Sequence, residues 1–343
     1  MLCNPFSTSW YHNSFIIAVL LSFLQLSLCF MVIRRYNRIQ NLNEEGISMF
    51  GECHAHMIMD GVCFREAAAK HRNGPDEALI RQVLSAYQKR NVLFIRDGGD
   101  NLGVSRLAAD LAQEYGIDYR TPVFAIHHRG YYGGIVGFAY DSLKEYARLV
   151  QKARSYRCDF IKIMTAGIMD FDHAGRLSCP GLPGQEVAEM VRIAHSEGYS
   201  VMTHVNGADH IKVALEAGVD SIEHGNFMDA ECLSLLKETG AVWCPTIAIT
   251  GNIIGSGRYN DTVLTSIHER QLANIQRAFD LGAAVALGSD AGAFRVTHPR
   301  GVFDEYGYFR QAVPDQAFLD ARLAEAEATV RERFKAGGII MEN

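Results

Sequence analysis

The feature that most limits the fold is an alternation. Eight short apolar runs recur from Met49 onward, with amphipathic stretches between them. The runs are Met49–His54, Val92–Asp97, Thr121–Ile126, Phe160–Met164, Ser200–His204, Asp220–His224, Ala241–Pro245 and Ala284–Asp290. They are rich in Val, Ile, Phe and Met and mostly lack strict polar–apolar alternation, as strands buried on both faces do. Helical periodicity covers Asp76–Arg90, Val104–Tyr115, Ser142–Arg154, Gly184–Glu197, Asp209–Ala217, Asp229–Glu238 and Thr262–Leu281. Glycine follows at 116, 198, 218, 240 and 282, where a left-handed C-cap is common. This pattern predicts an α/β fold, a (β/α)8 TIM barrel, with a doubly wound sheet as the alternative. A last helix from about Pro314 to Phe334 would close the barrel.

Composition narrows the function classes. An apolar fraction of 48% and a charged fraction of 21% exclude disorder or collagen for the whole chain. A net charge of -6 speaks against nucleic acid as a partner. The eight cysteines, at 3, 29, 53, 63, 158, 179, 232 and 244, form no C-x-x-C pair. Zinc-ribbon and thioredoxin motifs are thereby excluded, and reduced thiols are expected. At about 150 residues per domain the 343 residues allow two domains, yet one barrel with its loops accounts for residues 49–343.

Residues 1–48 read as a hydrophobic leader. Phe15–Ile33 is FIIAVLLSFLQLSLCFMVI, with only Ser22, Gln25 and Ser27 polar. As a helix it would span about 28 Å at about 1.5 Å per residue, near the thickness of a bilayer core. Arg34, Arg35 and Arg38 follow, which would keep the remainder on the cytoplasmic side. Three readings compete: a transmembrane anchor, an over-long frame ahead of a start at Met49, and a secretory signal. No Lys or Arg precedes the run and no small-x-small site follows it, which weighs against the last. The expected location is the cytoplasm, with a membrane-anchored form as the alternative.

Polar residues gather at predicted strand ends, where barrels carry their active sites. The first run ends Cys53-His54-Ala55-His56. Residues i and i+2 share a strand face, so both imidazoles can grip one metal, while Cys53 should point the other way into core. With thirteen histidines in the chain, about 0.5 H-x-H occurrences are expected by chance, so alone this is a weak signal. Lys162 sits inside FIKIM, where a buried ammonium needs a counter-charge or neutralisation. It is either half of a structural ion pair or a lysine carboxylated by carbon dioxide, whose carbamate can bridge two metals. His204 and His224 end consecutive runs, and Asp290 ends the last. Singly, each histidine could be a core or surface group and the aspartate a helix N-cap. Together, the order H-x-H, Lys, His, His, Asp is not one that unrelated residues often fall into.

With these residues in view, the sequence resembles the amidohydrolase superfamily, in its binuclear, imidazolonepropionase- and prolidase-like branch. The segments that carry the resemblance are GECHAHM, FIKIMTAG, VMTHVNG, DSIEHGN and VALGSDAG, within roughly residues 49–300. The resemblance implies a barrel holding two divalent ions, usually zinc. His54, His56 and Asp290 would hold the first, His204 and His224 the second, and carboxylated Lys162 would bridge both. Most relatives also carry a small β-sandwich; here no strand pairs are evident for one, so it is expected to be reduced or absent.

The chemistry that this implies is hydrolysis of an amide-type C–N bond in a dipeptide, N-acyl amino acid or cyclic amide. A metal-bridging hydroxide would attack, with Asp290 as general base and then acid. An esterase or lactonase on the same site is the alternative, and a non-catalytic membrane-associated binding protein is a third reading. A deaminase is disfavoured, because mononuclear relatives lack the strand-four lysine. Loop residues expected to contact a small-molecule substrate are Arg96, His127, Tyr131, Tyr259 and Arg295, with Arg258 beside Tyr259. A homo-oligomer is expected.

Overall fold

The computed structural model describes residues 50–336. Residues 1–49, including the apolar run 15–33, and residues 337–343 lie outside the described residues. Among the described residues no helix is long and apolar enough to cross a membrane.

Local chemistry sets most helix boundaries. Helix α1 (Phe64–Lys70) is followed by α2 (Glu77–Lys89), whose N-cap Asp76 accepts from Leu79 N. Ile80, Leu84 and Tyr87 form the buried stripe of α2 at helical spacing. Then come α3 (Val104–Ala112), α4 (Leu143–Ser155), α5 (Gly184–Ser196), α6 (Ala208–Glu216), α7 (Ala230–Thr239) and α8 (Ala248–Ile253). The series ends with α9 (Asp261–Asp280), α10 (Arg300–Ala312) and α11 (Gln316–Arg333). Ser142, Asp229, Asn260 and Asp315 cap α4, α7, α9 and α11 with side-chain oxygens.

The strands are β1 (Glu52–Ala55), β2 (Phe94–Asp97), β3 (Asp118–Arg120), β4 (Ala125–His128) and β5 (Gly137–Tyr140). They continue as β6 (Ile161–Met164), β7 (Val201–Val205), β8 (Ser221–His224), β9 (Val242–Cys244) and β10 (Ala284–Val285). Two sheets run β1-β2-β3 and β10-β9-β8-β7-β6-β4-β5. Every pairing between these strands is parallel, so the described residues form no separate antiparallel sandwich.

Backbone bonds link the two sheets. Cys53 N donates to Leu287 O and Asp290 N to His54 O, at 2.9 and 2.7 Å, tying β1 to the chain beyond β10. On the other side β3 pairs with β2 while β4 pairs with β6. The two segments are successive pieces of one interrupted strand. The expected strand Thr121–Ile126 therefore straddles the break, where Val123 takes a φ of +68°. The arrangement is consistent with a (β/α)8 barrel.

A core cluster joins the starts of several strands. Cys53, Phe94, Phe160, Met202, Val242, Cys244 and Ala286 pack with Ala326, Val330 and Phe334 from the α11 end. That helix closes the end opposite the strand termini, as the Pro314–Phe334 pattern suggests. Cys53 is core as expected, packed with Met202, Val242 and Cys244. The pairing register of β1 shifts between Glu52 and Ala55, which breaks simple alternation there.

Candidate active site

The sequence-chosen residues converge at the strand ends. His54 lies on β1 and His56 just beyond it, Lys162 on β6, His204 on β7, His224 at the end of β8, and Asp290 beyond β10. Ring centroids are 5.4 Å apart for His54 and His56, 5.0 Å for His54 and His224, and 4.6 Å for His204 and His224. Asp290 Oδ1 lies 3.6 Å from Nε2 of both His54 and His56. His56, Lys162, His204, His224 and Asp290 line one cavity of about 590 Å³, and His54 is fully buried.

Burial sets the charge states. It holds the imidazoles of His56 and His204 down to about 3, and those of His54 and His224 well below the ordinary value. All four are therefore neutral and offer lone pairs. Burial also lowers the Lys162 ammonium and raises the Asp290 carboxyl.

Hydrogen bonds aim the rings. His54 Nδ1 donates to Glu223 Oε2 at 2.6 Å, leaving Nε2 toward the cluster. Glu223 is itself fixed by Arg96 Nη2 at 2.8 Å and by the Ser221 hydroxyl. His224 Nδ1 pairs with Thr246 Oγ1 at 2.8 Å. His224, Thr246 and Asp290 take φ values of +66°, +51° and +59°, a region that non-glycine residues seldom adopt. Such backbone concentrates at functional sites. Gly98 packs directly on His56; a Cβ there would come within 2.3 Å of the ring.

Two buried atoms at the centre, His54 Nε2 and Lys162 Nζ, have no hydrogen-bond partner. One ligand atom each from His54, His224 and Asp290 lies within 4.8 Å of the others. Neutral imidazole nitrogens beside a carboxylate suit a divalent transition ion, and a bound ion would satisfy the orphaned nitrogen of His54. The residues fit a metal. A second group, His54, Glu223 and Cys244, meets the same distance test. There Glu223 already accepts from His54, Arg96 and Ser221, and burial pushes the Cys244 thiol up, so this group reads as support for the ring.

The expected substrate contacts divide. Tyr259 lines the cavity, as does Arg258. Arg96 does not: it is fully buried, with its guanidinium donating to Cys53 O, Ser221 Oγ and Glu223 Oε1. His127 is not a loop residue but part of β4; it is buried with Nδ1 against the His128 carbonyl, outside the cavity lining. Tyr131 stacks on His128, and its neighbour Tyr132 faces the cavity instead, 4.8 Å from the His204 ring. Arg295 is exposed and outside the lining, in contact with Asn252.

Sequence reasoning missed Asn206 and Asn226, which also line the cavity. Asn226 Nδ2 donates to Asn206 Oδ1 at 2.8 Å, and Asn206 Nδ2 donates to Gly167 O. Each stands two residues after a strand-end histidine, which was the available signal.

The sequence pattern of the amidohydrolase family matches residues 77–328. The chain belongs to the amidohydrolase family. Among curated proteins, ochratoxinase from Aspergillus niger is 26% identical over 189 residues, 53% of this chain and 38% of that protein. The chain thus spans well under half the length of that relative. Solved structures agree in fold. A Xaa-Pro dipeptidase superposes with a TM-score of 0.63 at 21% identity, covering 83% of this chain and 76% of that one. Aspergillus niger ochratoxinase gives 0.64 at 19% identity, covering 82% and 71%. At these identities the likeness speaks for an amidohydrolase fold.

Proposed function

We propose that the protein is a metal-dependent hydrolase of an amide-type C–N bond, in a dipeptide, an N-acyl amino acid or a cyclic amide. The observation that carries this reading is the convergence of His56, His204, His224, Lys162 and Asp290 on one partly apolar cavity, with the buried His54 beside them. The name of one solved structure of similar fold, a Xaa-Pro dipeptidase, supports it.

His54, His56 and Asp290 would hold one divalent ion and His204 and His224 a second; the nitrogen-rich donor set favours zinc. Lys162 would bridge them as a carbamate, formed when its neutral amine adds to carbon dioxide and releases a proton. When bound, such ions supply Lewis acidity at the scissile carbonyl and acidify water.

The chain's own residues do the rest. Asp290, raised by burial, accepts a proton from the attacking water as the new C–O bond forms. It returns that proton to the nitrogen as the C–N bond breaks. Glu223 and Thr246 keep the His54 and His224 rings in orientation. Met59, Met164, Phe171 and Phe294 line the approach and exclude bulk water.

The test uses the full chain loaded with Zn2+ and assayed on dipeptides, N-acyl amino acids and cyclic amides. Hydrolysis that a chelator abolishes and added metal restores is the expected result. A loaded protein inactive on all three classes overturns the reading.

A further inference from the structure

Resting on the amide-hydrolase reading, we propose that the cavity selects amides with a large apolar body and a free carboxylate, and that Arg258 binds the carboxylate. Arg258 lines the cavity, is exposed, and its guanidinium has neither an ion pair nor a hydrogen bond among the described residues. Arg65 also lines the cavity without an ion pair among the described residues, but it lies over a single ring, Phe64, at 5.7 Å.

Arg258 is held in place rather than left trailing in solvent. Its guanidinium lies 4.5 Å from the Phe294 ring centroid and 5.3 Å from that of Tyr259. The segment is also pinned to the loop after β6. The Phe171 and Tyr259 rings are 4.9 Å apart, and Asn260 N donates to Asp172 Oδ1 at 2.7 Å. Lying against two rings leaves the guanidinium's N–H donors without a protein acceptor, free for a carboxylate to accept in a fork.

The remaining lining fits the rest of such a ligand. Asp290 is the only carboxylate lining the cavity among the described residues, while Arg65 adds a second cation at the mouth. The walls are methionine, isoleucine and phenylalanine, and the mouth exposes Val62 by 65%, Phe64 by 38% and Ile135 by 37%. Exposed apolar groups around an apolar cavity suit a ligand that removes them from water.

The test compares N-benzoyl-phenylalanine with its C-terminal amide as substrates of the metal-loaded full chain. The free acid should be preferred in kcat/KM, mainly through KM, and Arg258→Ala should cut the acid-to-amide ratio by about 10- to 100-fold. Arg258→Lys should restore part of the ratio. Equal use of both compounds, or an unchanged ratio in Arg258→Ala, overturns the proposal while leaving the hydrolase reading intact. If neither is cleaved, calorimetry of the uncleavable N-benzyl-phenylalanine on the metal-free protein still decides. Binding at least about tenfold weaker in Arg258→Ala supports the carboxylate site, and equal binding overturns it.

Discussion

Glu223 and Asp290 meet different nitrogens of His54: Glu223 bonds Nδ1, and Asp290 lies 3.6 Å from Nε2, which has no hydrogen-bond partner. Asp290→Asn keeps size and backbone but removes the proton acceptor. It should fold normally by circular dichroism and lose about 10²- to 10⁴-fold in kcat. Near-normal turnover would contradict the role. Glu223→Gln leaves the Arg96 guanidinium buried with no counter-charge, a loss of about 3–5 kcal/mol in urea unfolding. A change below about 1 kcal/mol would mean that the pair is not a working unit. The six strand-end residues were legible because each breaks an apolar run with a group that has no reason to be there. The Arg96–Glu223 pair carried the same signal, since FIRD and SIEH each bury a charge, but one chain gives no cue that two distant charges meet. Glu52 was equally hidden: it accepts from Ser289 N and the Ser289 hydroxyl, joining the strand of His54 to the segment of Asp290, and burial raises it to about 8.

Elements were legible where their periodicity is long. The helices α2 to α7, α9 and α11 follow apolar stripes and caps written in the sequence. Three others did not show. α1 and α8 are only seven and six residues long, and α10 contains Gly301 and Gly307, which lower helix propensity by about 1 kcal/mol each. Gly301 has a packing reason: a Cβ there would come within 2.5 Å of Ser289 Oγ. From α10, Glu305 accepts from Ile247 N and Ala248 N, holding α8, whose Ile249 and Ile253 line the cavity. At the other end, the Phe334 ring packs 5.4 Å from Phe160 and is fully buried. Phe334→Ala should cost about 3–5 kcal/mol in chemical denaturation. A cost under about 1 kcal/mol would show that the α11 end does not close this core.

For the molecule as a whole, the parallel α/β architecture followed from alternation alone, whereas the break between β3 and β4 and the added β5 did not. Both depend on long-range pairing that local pattern does not encode. If the proposed ligands hold metal, binding should reach the entire fold, because those residues come from five separate strands and strand ends. At a metal concentration 100-fold above Kd, binding to the native state alone adds about 2.7 kcal/mol. Chelation should therefore lower the thermal midpoint and Zn2+ should restore it; an identical midpoint in both conditions would contradict the coupling. Whether the six residues form a two-ion hydrolytic centre bridged by Lys162 is decided by counting metal per chain in the native protein and in Lys162→Ala. Two equivalents in the native protein and a clear fall in the variant are expected. No metal in the native protein, or two equivalents retained without the lysine, would contradict it.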